Sequence, residues 1–200
     1  VIAASADRGL PTVLPRVLVL TDRAQTGGRP LAAVVRGAEA VVLREKDLAR
    51  DARARLAAEL RPLVDLLLIA SDPTIEGDGV HLASDDPFPA PRPRVVGRSC
   101  HSRADLERAA AEGCDYATLS PIFESPSKPG YGPALGVEAL RDAPLPVYAL
   151  GGVDDTNAAA CLDAGAVGVA MMGAAMHHPN LRNAVRHDVL SDASSPRRRR

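Results

Sequence analysis

Val42, Arg44 and Lys46 recur at a spacing of two, so along a strand and its extension all three face one way. Two cations on one face suit a multiply charged anion such as a diphosphate. Glu45 and Asp47 equally allow a solvated surface triplet that pairs with itself. Ser99 and His101 repeat the spacing of two: a hydroxyl can hold a phosphate oxygen, and an imidazole can move a proton near neutral pH. A helix N-cap is the competing role for Ser99, and Ser102 fits that role well. No acidic neighbour completes a Ser-His-Asp triad. Ser71-Asp72 follows one apolar run and Asp85-Asp86 another. Carboxylates on adjacent strand exits are natural ligands for Mg²⁺, which takes one or two of them together with phosphate oxygens. An Asx turn before Pro73 and a cap before Pro87 are their structural alternatives.

Ser125-Pro126-Ser127-Lys128 offers two hydroxyls and an ammonium to a phosphate, within the long loop Pro121–Pro133. Loops of that length inside a compact domain are more often functional than idle, and the flanking Gly/Pro residues suit a lid. Gly151-Gly152 and Gly173-Ala174-Ala175 place small residues where a backbone approaches a ligand. N–H groups there could hold a phosphate, as the loops after strands seven and eight do in barrels of alternating strands and helices.

These groups are far apart in sequence and need a frame that gathers them. Strand-like runs recur about every 20–30 residues: Val17–Leu20, Ala40–Leu43, Leu66–Ile69, Gly79–Leu82, Arg94–Gly97, Asp115–Leu119, Val147–Leu150 and Gly168–Met172. Helices are expected near Pro30–Arg36, over Leu48–Leu60 with Leu48, Leu56 and Leu60 inward, and over Arg103–Glu112, Val137–Arg141, Thr156–Ala164 and Leu181–Leu190. Only Pro73–Asp78 separates the third and fourth strands, too few residues for a crossover helix. The expectation is an α/β fold, a compact TIM (β/α)8 barrel with abbreviated helices and the third helix missing or very short, with an open doubly wound sheet as the alternative. In a barrel the strand exits share one mouth, which brings the polar clusters together. One domain is expected over residues 1–190, followed by a disordered basic tail, 191–200.

The composition agrees. The chain has 200 residues, 46% hydrophobic but only 2% aromatic and without Trp, so the core must be Ala/Val/Leu packing. Net charge is −1, and the four arginines Arg197–Arg200 mask a more acidic body, which argues against nucleic-acid binding. Cys100, Cys114 and Cys161 form no zinc pattern and suggest a reducing compartment. No apolar stretch is long enough for a membrane span, and Val1–Leu10 does not read as a signal peptide. A soluble cytoplasmic protein is expected, with homo-oligomer formation left open.

The ordered set Arg44-Glu45-Lys46, Gly77–Leu82, Gly97–Ser102, Ser120–Phe123, Ser125–Pro129, Ala149–Val153 and Ala164–Ala170 resembles the thiamine-phosphate synthase family and its close relative, thiazole tautomerase, from about Val17 to Ala175. The resemblance implies a barrel that joins a pyrimidine diphosphate to a thiazole phosphate and releases diphosphate. It implies that Arg44, Lys46, Ser99 and Lys128 hold the diphosphate and that Asp72 and Asp86 bind Mg²⁺. Ser125, Ser127, Gly152, Met172 and Gly173 would hold the thiazole phosphate, with Gly151 beside them, and Ser99, His101 and Lys128 would be the catalytic groups. Val42, Ser71 and Pro73 depart from the synthase pattern, which commonly has Gln, Asn and Arg there; Val42 and Ser71 fall where the pyrimidine should lie. The tautomerase alternative relies on His101. A phosphate-binding relative without catalysis is the third reading.

Overall fold

A computed structural model describes residues 14–124 and 133–177. Eight parallel strands close into a barrel in chain order: β1 (Val17–Leu20), β2 (Ala40–Leu43), β3 (Leu66–Ala70), β4 (Gly79–Leu82), β5 (Val96–Cys100), β6 (Tyr116–Leu119), β7 (Val147–Ala149) and β8 (Gly168–Met171). The ring closes where Val17, Leu18 and Val19 pair with Val169, Ala170 and Met171. The apolar runs become strands because both of their faces are covered, as parallel sheets require. Val41, Leu43, Leu67, Ile69, Val80 and Val169 pack outward, whereas Leu18, Leu20, Ala40, Val42, Leu66, Leu68 and Ala170 fill the interior.

Two tyrosines complete that interior. Tyr116 and Tyr148 meet edge to face with centroids 5.4 Å apart, and Tyr148 Oη donates to the Pro15 carbonyl (2.6 Å). Gly97 makes room for them: a Cβ there would overlap the Tyr116 ring. Two aromatics thus fill a barrel whose sequence offers almost none.

The outer layer is sparse: α1 (Leu31–Val35), α2 (Arg50–Leu60), α3 (Arg103–Glu112), α4 (Ala158–Asp163) and α5 (Gly173–His177). No helix links β3 to β4, as expected, and none links β4 to β5 among the described residues. Ser102 starts α3, its Oγ accepting from Asp105 N at 3.1 Å, and Gly113 ends it at φ 84°. The connection expected to be a helix at Val137–Arg141 is one 3-10 turn, Val137–Leu140.

Three expectations need correction. Strand five is Val96–Cys100 rather than Arg94–Gly97, because Arg98 and Ser99 lie within the strand, each satisfied by groups distant in sequence. Helix α2 starts at Arg50, leaving Leu48 outside it, and buries Arg53, Ala57 and Leu60. Residues 173–177 form α5 where a small-residue loop was expected. The expected helix Leu181–Leu190 and the basic tail lie outside the described residues.

Candidate active site

The β2 exit is fixed first. Arg44 N donates to Thr21 Oγ1 (3.0 Å) at the end of β1. Glu45, at φ 22°, turns its buried carboxylate sideways to Arg23, accepting from the backbone N at 3.1 Å and pairing with Nε at 3.4 Å. The acidic residue of the triplet therefore does not neutralise Arg44. Asp47 pairs with the Arg23 guanidinium instead. The Arg44 side chain reaches over β1, with Nη1 2.7 Å from Met172 Sδ beyond the end of β8. Val42 lies below, fully buried in the barrel interior, and Lys46 is exposed at the rim.

Two carboxylates occupy the next exits. Asp72 Oδ1 accepts from Thr74 N (3.0 Å) and Thr74 Oγ1 (2.6 Å), the Asx turn before Pro73; Oδ2 accepts from Arg53 Nη2 at 3.1 Å. Burial pushes its pKa up, but the Thr74 and Arg53 hydrogen bonds outweigh burial and hold it below the usual carboxylate value. Asp86 Oδ2 accepts from Ala83 N (2.7 Å). Its pKa is likewise lowered: burial opposes this, whereas the neighbouring Ser71 hydroxyl, the Ala83 N–H and the charges of Lys46 and Arg98 favour the anion. Ser71 sits at φ 59°, its backbone N bonded to the His81 carbonyl (3.0 Å).

Arg98 organises the Asp86 loop from behind. It is 1% exposed on the outer face of β5, and Nη1 donates to the carbonyls of Ala83 (3.1 Å), Ser84 (2.9 Å) and Asp86 (2.9 Å). Nη2 pairs with Glu112 at 2.6 Å. Inside the barrel, His81 bridges Tyr116 Oη (Nδ1, 2.8 Å) and Ser99 Oγ (Nε2, 3.0 Å). Burial, reinforced by the fields of Arg44, Lys46 and Arg98, pushes the His81 pKa down to about 3, so the imidazole is neutral. His101, two residues past Ser99, stands at the rim: its N donates to Asp105 Oδ2 (3.0 Å) and its Nδ1 lies 2.9 Å from the Ser120 carbonyl. A carbonyl only accepts, so Nδ1 carries a proton in this contact.

Gly151 and Gly152 adopt φ 90° and 65°. A Cβ on Gly152 would lie 2.5 Å from the Glu124 carbonyl oxygen and 2.8 Å from Phe123 Cβ. Phe123 N donates to the Gly151 carbonyl (3.0 Å), and Asn157 Nδ2 to that of Gly152 (2.9 Å). The glycine pair therefore seats the root of the loop after β6. Gly173 leaves room for the Gln25 amide, whose oxygen a Cβ there would meet at 2.8 Å. Ser125, Ser127 and Lys128 lie outside the described residues.

Arg44, Lys46, Ser71, Asp72, Asp86, Ser99 and His101 thus share one rim, with Met172, Gly173 and Gly151-Gly152 completing it. Sequence reasoning gave no role to His81, Tyr116, Arg53 or Arg98. The alternation Gly79-x-His81 marks an inward polar residue, and nothing local marks its partner. For Mg²⁺, the fit rests on Asp72 and Asp86, both held ionised, beside cations suited to phosphate oxygens. Asp72 Oδ1 already accepts from both Thr74 groups, whereas Asp72 Oδ2 and Asp86 Oδ2 each accept from one hydrogen-bond donor and retain a second lone pair.

The family model described as thiamine monophosphate synthase matches residues 21–175. This chain belongs to the thiamine monophosphate synthase family. A Geobacter sulfurreducens protein provisionally named thiamine-phosphate synthase is 39% identical over 191 residues, covering 84% of this chain and 90% of that protein. The thiamine-phosphate synthase of Roseiflexus castenholzii is 35% identical over 205 residues, covering 90% and 89% respectively. Among solved structures, thiamine phosphate pyrophosphorylase from Pyrococcus furiosus superposes with a TM-score of 0.74 at 25% identity, covering 90% of this chain and 97% of that one. The family match spans every strand exit from Thr21 to Gly173, so the rim described above lies wholly within the thiamine monophosphate synthase homology.

Proposed function

We propose that this chain is a Mg²⁺-dependent transferase of thiamine biosynthesis, joining 4-amino-2-methyl-5-(diphosphomethyl)pyrimidine to thiazole phosphate. The observation that carries this reading is Arg44: freed from Glu45 by the Arg23 pair, it extends over the mouth to Met172. In the reaction the bond between the pyrimidine methylene and the diphosphate oxygen breaks, and its electron pair leaves with diphosphate. The thiazole nitrogen then forms the new carbon–nitrogen bond. Arg44, Lys46 and the Ser99 hydroxyl face the oxygens on which charge develops, the preorganised electrostatics that lower such a barrier. Asp72 and Asp86 would hold Mg²⁺, which supplies further charge stabilisation on the leaving diphosphate. Lys128, Ser125 and Ser127 are assigned to the same phosphates by family analogy. The free, buried cysteines Cys100, Cys114 and Cys161 fit a reducing, cytoplasmic setting.

Incubating the purified protein with both phosphorylated precursors and Mg²⁺ should yield thiamine phosphate and diphosphate in equal amounts. Folded protein that yields neither removes the reading. One observation favours a second activity: His101 stands at the rim with Nδ1 held against the Ser120 carbonyl, which leaves Nε2 as the ring nitrogen for proton transfer. A proton transfer on a thiazole carboxylate phosphate would run through Nε2. Turnover that survives chelation but is lost in His101→Ala identifies that activity.

A further inference from the structure

Beneath the groups that face the mouth lies a hydrogen-bonded chain with a readable direction. Tyr116 and His81 are buried, their rings stacked with centroids 5.5 Å apart at 26°. Tyr116 Oη has one hydrogen-bonding neighbour among the described residues, His81 Nδ1; His81 Nε2 has one, Ser99 Oγ. Each of the three groups carries one mobile hydrogen when the imidazole is neutral.

Two arrangements are open. If Nδ1 carried the imidazole proton and donated to Tyr116, the phenol hydrogen would be buried without an acceptor, a state that native structures avoid. If the phenol donates to Nδ1, the proton sits on Nε2 and points at Ser99 Oγ. Both buried hydrogens then have acceptors. Ser99 accepts from below, and its own hydrogen is left to point upward, toward the half-buried side of the residue that opens on the mouth.

We propose that Tyr116 is a positioning residue that fixes His81 as the Nε2–H tautomer and so presents the Ser99 hydroxyl to the mouth as a donor for a phosphate oxygen. The donor half rests on the reading of the mouth as a phosphate site. The direction matters because an unconstrained serine can turn its hydrogen down to Nε2 and show lone pairs to the incoming anion. Burial keeps the imidazole neutral across the physiological range, so the chain orients Ser99 without exchanging charge with it. Gly97 belongs to the same device, since the Tyr116 ring and its hydroxyl occupy the space a side chain there would take.

The test uses the full chain labelled with ¹⁵N-histidine. Two-bond ¹H–¹⁵N spectra of the wild type should show His81 protonated on Nε2, and in Tyr116→Phe both tautomers should appear. Calorimetric titration with inorganic diphosphate and Mg²⁺ should show binding weakened roughly fivefold to tenfold by Tyr116→Phe, the scale of one misdirected hydrogen bond to a charged group. In a Ser99→Ala background the same substitution should change binding less than about twofold, because its effect travels through Ser99. A wild-type His81 protonated on Nδ1 overturns the proposal. So does a Tyr116→Phe effect of equal size in both backgrounds, which marks general loosening of the core. Folded wild type that binds no diphosphate overturns the phosphate reading and the donor role with it, a failure the spectrum separates from a wrong tautomer.

Discussion

Arg53 Nη2 lies 3.1 Å from Asp72 Oδ2, so the carboxylate proposed for Mg²⁺ is held by a buried arginine from α2. The Arg53 side chain is 10% exposed and also reaches the Arg44 carbonyl at 3.4 Å, joining the β2 exit to the β3 exit. Removing Asp72 therefore takes away a proposed metal ligand and orphans a buried guanidinium at the same time.

The two roles separate by a paired substitution. Asp72→Ala should destabilise the fold by about 1–3 kcal/mol, the cost of stranding a buried polar partner. Arg53→Met combined with Asp72→Ala should recover most of that loss in urea unfolding. Turnover should stay low in both variants. Recovery of turnover together with stability would assign Asp72 to the fold alone.

Arg98 makes a stronger claim on stability. At 1% exposure it satisfies three carbonyls of the segment that ends in Asp86, and it pairs with Glu112. Arg98→Met leaves those acceptors and a partly buried carboxylate behind, for an expected loss of about 3–5 kcal/mol. Arg98→Lys keeps the charge but loses the fork that serves several oxygens at once, and should fall between Met and wild type. The same series should raise the Mg²⁺ concentration needed for half-maximal turnover, because Asp86 loses its backing.

Gly97→Ala should cost about 1–3 kcal/mol or more, the range for overpacking a filled core, since the new methyl overlaps the Tyr116 ring. Gly113→Ala gives the contrast. Its Cβ would meet nothing within 4 Å, but φ 84° strains any L residue there, so a loss of about 1 kcal/mol is expected. Comparing urea midpoints of the two variants distinguishes crowding from backbone strain.

The barrel was legible because Ala40–Leu43 and Leu66–Ala70 are apolar on both faces, a pattern that a buried parallel strand produces and a half-exposed one does not. Arg98 hid the true course of β5, since an arginine inside a strand is tolerable only when distant carbonyls receive it, and nothing in the local sequence announces Ala83 or Ser84 as those acceptors. Arg53 reads as the polar face of an amphipathic helix for the same reason: its partner Asp72 is in another element. The rim positions of Arg44, Lys46 and Asp86 were legible because a strand exit followed by a charge is a local signal, and that of Ser99 because it recurs two before His101 near the end of an apolar run. The support beneath them, His81 on Tyr116, joins positions 35 apart and becomes visible only when the barrel closes.

That support also sets how the protein responds to acid. His81 is held neutral by burial down to about pH 3, whereas an unfolded histidine takes up its proton near 6.5. Between those values the unfolded chain binds a proton that the folded chain refuses, so stability is greatest above pH 6.5 and is lost as pH falls toward 3. One such group contributes a slope of at most about 1.4 kcal/mol per pH unit. Asp72, Asp86, Asp105 and Glu138 have lowered pKa values, so their contributions are present above the ordinary carboxylate range and are lost as pH falls from about 5 downward. The window from pH 6.5 to about 5 therefore separates His81 from these carboxylates. His81→Asn keeps a polar side chain but does not titrate, and its stability measured by urea unfolding should be flatter across that window than that of the wild type. Parallel curves for the two proteins would mean that the folded state admits a charged imidazole among Arg44, Lys46 and Arg98.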